Sequence, residues 1–137
     1  MKVLVATDGS DNAMKAVRRG LELAEKQGAA VTVMSVSYYA KDDFDDMPPY
    51  VQDKLEAEAA AALKKAKAVF DEKNIKVDLV LEAGLVPANN IIRKAREGKF
   101  DRIILGSTGM NALERVLMGS TAAKVVAHAP CEVTVVR

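Results

Sequence analysis

With a single cysteine, Cys131, no tryptophan and only three tyrosines and three phenylalanines, the chain is short of both redox and aromatic chemistry. One thiol cannot form an internal disulfide, and a cysteine at a Pro-Cys-Glu-Val entry to an apolar strand reads as a small buried hydrophobe. Neither sign of charge dominates: 20 Lys and Arg stand against 19 Asp and Glu. That balance excludes a general electrostatic affinity for nucleic acid or anionic lipid, so partners must be chosen by a site. No apolar run approaches the ~20 residues that span a bilayer. Met1-Lys2-Val3 leads straight into a strand rather than a signal segment, so the expected setting is cytoplasmic, away from membranes. The one histidine, His128, falls near the end of the last helix, where a partly positive imidazole suits the helix dipole and reads as structural.

What is present is an alternation of short apolar runs and amphipathic stretches. Val3, Leu4, Val5 and Ala6 form a strand ended by Thr7-Asp8-Gly9-Ser10, and a helix follows with Ala13, Ala16, Val17, Leu21 and Ala24 on one side. Ser10 or Asp11 can cap it, and Gly28 marks its end. Residues 30–36 are apolar and β-branched without alternation, as in a parallel strand buried on both faces. Residues 38–50 hold four aspartates (42, 43, 45 and 46) and two prolines, and predict a long loop. A helix over 51–73 carries Leu55, Ala59, Ala62, Leu63, Ala66, Val69 and Phe70 on one stripe. Residues 75–81 alternate and predict a half-exposed edge strand. A helix over 88–97, a strand over 100–105, a short helix burying Ala122, Val125 and Val126, and a last strand over 133–136 complete the chain.

Five strands alternating with helices imply a parallel sheet with right-handed crossovers, hence a single α/β domain over residues 1–137. The expected order is 3-2-1-4-5, with helices on both faces. Its switch point lies between strands 1 and 4, beyond whose carboxyl ends such sheets bind ligands. Asp8 and Gly106 stand there.

At that point the chain reads Gly106-Ser107-Thr108-Gly109, nine further residues, then Gly119-Ser120-Thr121. Glycine tolerates φ > 0 and lets backbone N–H groups approach an anion, while a helix starting after Gly119 offers unpaired donors and a partial positive charge. No Gly-Lys-[Ser/Thr] closes this turn and no G-x-G-x-x-G opens the first one, so neither the P-loop nor the dinucleotide fingerprint applies. Taken singly, Gly106 could serve close packing, Gly109 a turn and Gly119 a helix start, and Asp8 could be a turn former. Their coincidence at one switch point points to a phosphate site.

The run from Val3 to Ser10, the G-x2-G-x9-G-S segment, and the close from Ala127 to Val136 resemble the universal stress protein family in its ATP-binding form, an adenine nucleotide α-hydrolase-like fold. The resemblance implies that Asp8 contacts the ribose or a metal-bound phosphate, and so serves as the one metal-directed residue, for Mg²⁺ brought with the nucleotide. It further implies that Gly106, Ser107, Gly109, Gly119, Ser120 and Thr121 wrap the phosphates, and that Val36 lies against the adenine. Ala6 and Thr7 lead into that wall, Ala6 standing where some members have proline. It also implies a homodimer pairing its last strands, here Val133, Thr134, Val135 and Val136. An apolar edge strand with no charge until Arg137 agrees with being covered.

The expected function is an ATP-binding regulatory protein of the stress response. The alternatives are a slow ATPase or an autokinase acting on Ser120 or Thr121, or a dimeric scaffold that binds no nucleotide. No motif places a lysine on the γ-phosphate, and no general base beyond Asp8 is evident, which argues against fast catalysis. Arg115 could fold over the phosphates and the aspartates of 38–50 could bind Mg²⁺, but an exposed arginine and a solvated acidic loop are the commoner outcomes, so metal ligation is left to Asp8 and the nucleotide.

Overall fold

The computed structural model describes residues 1–39, 47–109 and 118–137. The strands are β1 (Lys2–Ala6), β2 (Ala30–Ser37), β3 (Asp78–Ala83), β4 (Arg102–Gly106) and β5 (Glu132–Val136). Between them run the helices α1 (Asp11–Gln27), α2 (Pro49–Asp71), α3 (Pro87–Glu97) and α4 (Ser120–His128). All four strand pairings are parallel, and the sheet order is β3-β2-β1-β4-β5, as the alternation of patterns required.

Side chains alternate across a strand, so each central strand feeds two cores. Val3, Val5, Val31, Val33 and Ile104 join Met14, Val17 and Leu21 of α1 and Leu63, Ala66 and Phe70 of α2 on one face. Leu4, Met34, Ile103 and Leu105 join Ile91, Ile92 and Ala95 of α3 and Ala122 and Val125 of α4 on the other. Val3, Leu4 and Val5 are wholly buried. Burial of such side chains is worth about 1.5–3 kcal/mol each, which is why the middle of the sheet is the rigid base on which the site rests. Gly28 closes α1 with φ 67°, and since its surroundings are open to a side chain it is this left-handed conformation that explains the glycine.

Four expectations need correction. β4 runs Arg102–Gly106 and does not start at 100, Phe100 packing into the α3/α4 core from the segment before it. β3 begins at Asp78 and not at 75, because its ladder with β2 starts at the pair Thr32 and Asp78. The apolar Ile75 and Val77 that produced the alternation pack instead against the α1/α2 core from the connecting segment. Helix α2 begins at Pro49, since proline fits the first helical turn, where its missing N–H is no loss. Val126, expected inside, is exposed. On a short helix Ala122 and Val125 share the inward face, and the next residue is turned about 100° away from it.

Candidate functional site

The loops after β1 and β4 and the starts of α1, α3 and α4 enclose a pocket of about 530 Å³ at the switch point. Ten of the residues singled out in the sequence for ligand contact line it: Ala6, Thr7, Asp8, Val36, Gly106, Ser107, Gly109, Gly119, Ser120 and Thr121. Sequence reasoning missed the apolar side, formed by Met34, Pro87, Ile91 and Leu105 together with Val36. Only Met34 carried a signal, its alternation with Val36 along β2. Pro87 and Ile91 reach the site through the packing of α3.

The wall from β1 is built locally. Thr7 donates its N–H to Met34 O at 2.9 Å, extending the β1–β2 ladder. Gly9 N–H then donates to Thr7 Oγ1 at 3.1 Å, and Ser10 N–H donates to Asp8 Oδ1 at 2.9 Å. These side-chain turns hold Asp8 at the pocket rim, where it is exposed. Helix α1 is capped by Ser10, whose Oγ accepts from Ala13 N–H at 3.2 Å, and Asp11 adds a negative charge to its first turn.

The opposite wall behaves differently from the expectation. Among the described residues, positive φ occurs in glycine only at Gly9 and Gly28. Of Gly106, Gly109 and Gly119, Gly106 alone is glycine for outright want of space; the other two have tight neighbours rather than a collision. A Cβ on Gly106 would collide with Asn12 Oδ1; one on Gly109 would lie 3.1 Å from Asp8 Oδ2, and one on Gly119 3.3 Å from Ser107 O. Nor do all the backbone donors of the segment face a ligand. Ser107 N–H donates to Val136 O at 2.8 Å, Thr108 N–H to Asn12 Oδ1 at 3.0 Å, and Gly119 N–H to Ser107 O at 2.6 Å. The donors left to the pocket are Gly109 N–H and the first turn of α4, whose N-cap Gly119 supplies no side-chain bond and whose first turn holds no acidic residue. The hydroxyls of Ser120 and Thr121 lie beside them.

Asp8 is the sole titratable side chain among the described lining residues. No group of three His, Cys, Asp or Glu among the described residues could hold a metal ion. His128 is the exposed last residue of α4, outside the pocket lining. Cys131 packs at the edge of the α3/α4 core, where burial, aided by the charges of Asp101 and Glu132, pushes its thiol pKa up. The aspartates at 42, 43, 45 and 46 and Arg115 lie outside the described residues. No helix of the described residues is long and apolar enough to cross a membrane.

The sequence profile of the universal stress protein family matches residues 1–137. The chain belongs to the universal stress protein family. It is 34% identical over 139 residues to the universal stress protein MJ0531 of Methanocaldococcus jannaschii, covering 99% of this chain and 81% of that one. Among solved structures it superposes on the universal stress protein UspA of Lactobacillus plantarum with a TM-score of 0.75 and 29% identity, covering 100% and 97% of the two chains. The same fold is shared by a universal stress protein of Archaeoglobus fulgidus solved with dAMP, at TM-score 0.76 and 22% identity, covering 100% of this chain and 98% of that one. It is also shared by a universal stress protein solved with cAMP, at TM-score 0.75 and 23% identity, covering 100% and 96%.

Proposed function

We propose that this universal stress protein binds an adenine nucleotide, ATP together with Mg²⁺, and acts as a regulatory module rather than a fast enzyme. The observation that carries the reading is the start of α4. It is a helix N-terminus with no cap and no acid, opening into the pocket between β1 and β4, and so a site where a phosphate completes the hydrogen bonding. The phosphates lie against Gly109 N–H, Ser120 and Thr121, with Gly106, Ser107 and Gly119 shaping the floor of the cradle. The base lies on the apolar side with Val36, and Ala6 and Thr7 border it. Asp8 faces the ribose or a phosphate-bound Mg²⁺. The bound dAMP and cAMP of the two solved family members support an adenine nucleotide as the ligand class.

A lining with one carboxylate and no basic side chain among the described residues supplies no evident group to stabilise charge developing on a transferred phosphoryl, which supports slow or absent turnover. We also propose that two copies pair through β5. It is an edge strand whose Val133, Thr134, Val135 and Val136 are only half-buried within one chain.

The deciding experiment is calorimetric titration of nucleotide-stripped protein with ATP and Mg²⁺, followed by product analysis over hours. Heat without ADP is the expected result. ADP or phosphoprotein would assign an enzyme, and absence of heat and of thermal stabilisation would leave a scaffold whose glycine segment is structural.

A further inference from the structure

Asn12 sits in the first turn of α1, outside any recognisable motif, yet its carboxamide joins three distant parts of the chain. Oδ1 accepts the Thr108 N–H at 3.0 Å, and Nδ2 faces Val136 O at 3.5 Å, contacts spanning 96 and 124 residues of sequence. Only one orientation of the amide satisfies both, since the first partner is a donor and the second an acceptor. The carboxamide occupies the space that a side chain on Gly106 would fill. Val136 O also takes Ser107 N–H, so the first turn of the glycine segment is tied on both sides to the last residue of β5. Gly119 N–H on Ser107 O closes the other side.

We propose that Asn12 is the positioning residue of the phosphate cradle. It fixes the peptide between Ser107 and Thr108, so that the next N–H, that of Gly109, is presented to the ligand instead of turning back into the protein. Gly106 is glycine in order to admit it. The proposal rests on the nucleotide reading for its effect on affinity, but the pinning itself exists in the nucleotide-free protein and is measured there. A loop held in its binding geometry in advance loses less freedom on binding, which is how a residue that touches no ligand sets affinity.

Two readouts test it. In the nucleotide-free wild type, amide hydrogen exchange of Thr108 should be at least about tenfold slower than that of Gly109, because a bonded amide exchanges only on local opening. Asn12→Ala should remove that protection and weaken ATP binding about tenfold, the worth of one well-made hydrogen bond. Gly106→Ala should do the same by displacing the carboxamide, and the double variant should be no worse than either single one. Ser10→Ala, which destabilises the same helix end, is the control and should move neither readout. Equal exchange at Thr108 and Gly109 in the wild type, or unaltered ATP affinity in both Asn12→Ala and Gly106→Ala, overturns the role of Asn12. If the wild type binds no ATP, the nucleotide reading fails, and the exchange data still decide whether Asn12 pins the loop.

Discussion

Of the helices that begin at the carboxyl edge of the sheet, the two that follow the switch-point strands β1 and β4 begin in opposite ways. Helix α1, after β1, is closed: Ser10 caps it, Asp11 offsets its dipole, and the preceding turn uses its own N–H groups on Thr7 and Asp8. Helix α4, after β4, is open, with a glycine N-cap and Ser and Thr where an acid would stabilise it. A glycine N-cap forgoes only a few tenths of a kcal/mol relative to Ser or Asp, so leaving this end open costs the fold little. On the proposed reading, the pocket would draw its preference for anions from one helix, while the other supplies an already satisfied wall carrying Asp8.

The strongest way to break the comparison is to close the open end sterically. Gly119→Val or Gly109→Val places a branched side chain where a single Cβ already meets Ser107 O at 3.3 Å or Asp8 Oδ2 at 3.1 Å. Nucleotide binding should disappear from calorimetry, with the circular dichroism of the fold retained. ATP affinity equal to wild type in both variants would remove the cradle from consideration. A more selective change is Ser120→Asp, which gives α4 the acid that α1 has. The expected outcome is a helix more stable by about 0.3–1 kcal/mol, seen as a raised thermal midpoint, with ATP affinity lower by tenfold or more from repulsion of the phosphates. Stability and affinity moving in opposite directions is the signature; a joint fall would mean that Ser120 serves folding alone.

Much of this contrast was legible in the chain. Val3-Leu4-Val5 and the β-branched run of β2 read as buried parallel strands because nothing but a doubly covered sheet hides such unbroken apolar segments, and the strand order then located the switch point. Gly106, Gly109 and Gly119 marked, by spacing, one wall of the pocket. Their physical reason was not legible, because a close approach depends on what lies opposite, and Asn12, Asp8 and Ser107 come opposite only in the folded chain. The same holds for the donors. From sequence every N–H between 106 and 109 looked available, whereas Ser107 and Thr108 spend theirs on Val136 and Asn12. The displaced start of β3 has the same origin, for Ile75 and Val77 are apolar through packing against a helix, and no local pattern separates that from a ladder.

Asp8 belongs to the closed wall but faces the shared pocket, so its removal sharpens how the two ends divide the ligand. Asp8→Ala should weaken ATP binding severalfold when Mg²⁺ is present and less in EDTA, since a carboxylate beside phosphates helps chiefly through a shared cation. An equal loss in both buffers would assign Asp8 to the ribose instead.

The smallest effect is expected from uncapping α1. Ser10→Ala removes the oxygen that accepts Ala13 N–H but keeps the Ser10 N–H bond to Asp8 Oδ1, because that bond uses the backbone. Stability should fall by about 1 kcal/mol, measured by denaturant midpoint at constant slope, as for other N-cap deletions. ATP affinity should stay within twofold of wild type. Both helix ends then lack a side-chain cap, yet α1 reaches the pocket only through Ala13, whereas the first turn of α4 lines it with Ser120, Thr121 and Ala122. If instead Ser10→Ala improved ATP binding, the phosphates would be using the freed first turn of α1, and the division between a closed wall and an open one would have to be redrawn with the ligand lying across both helices.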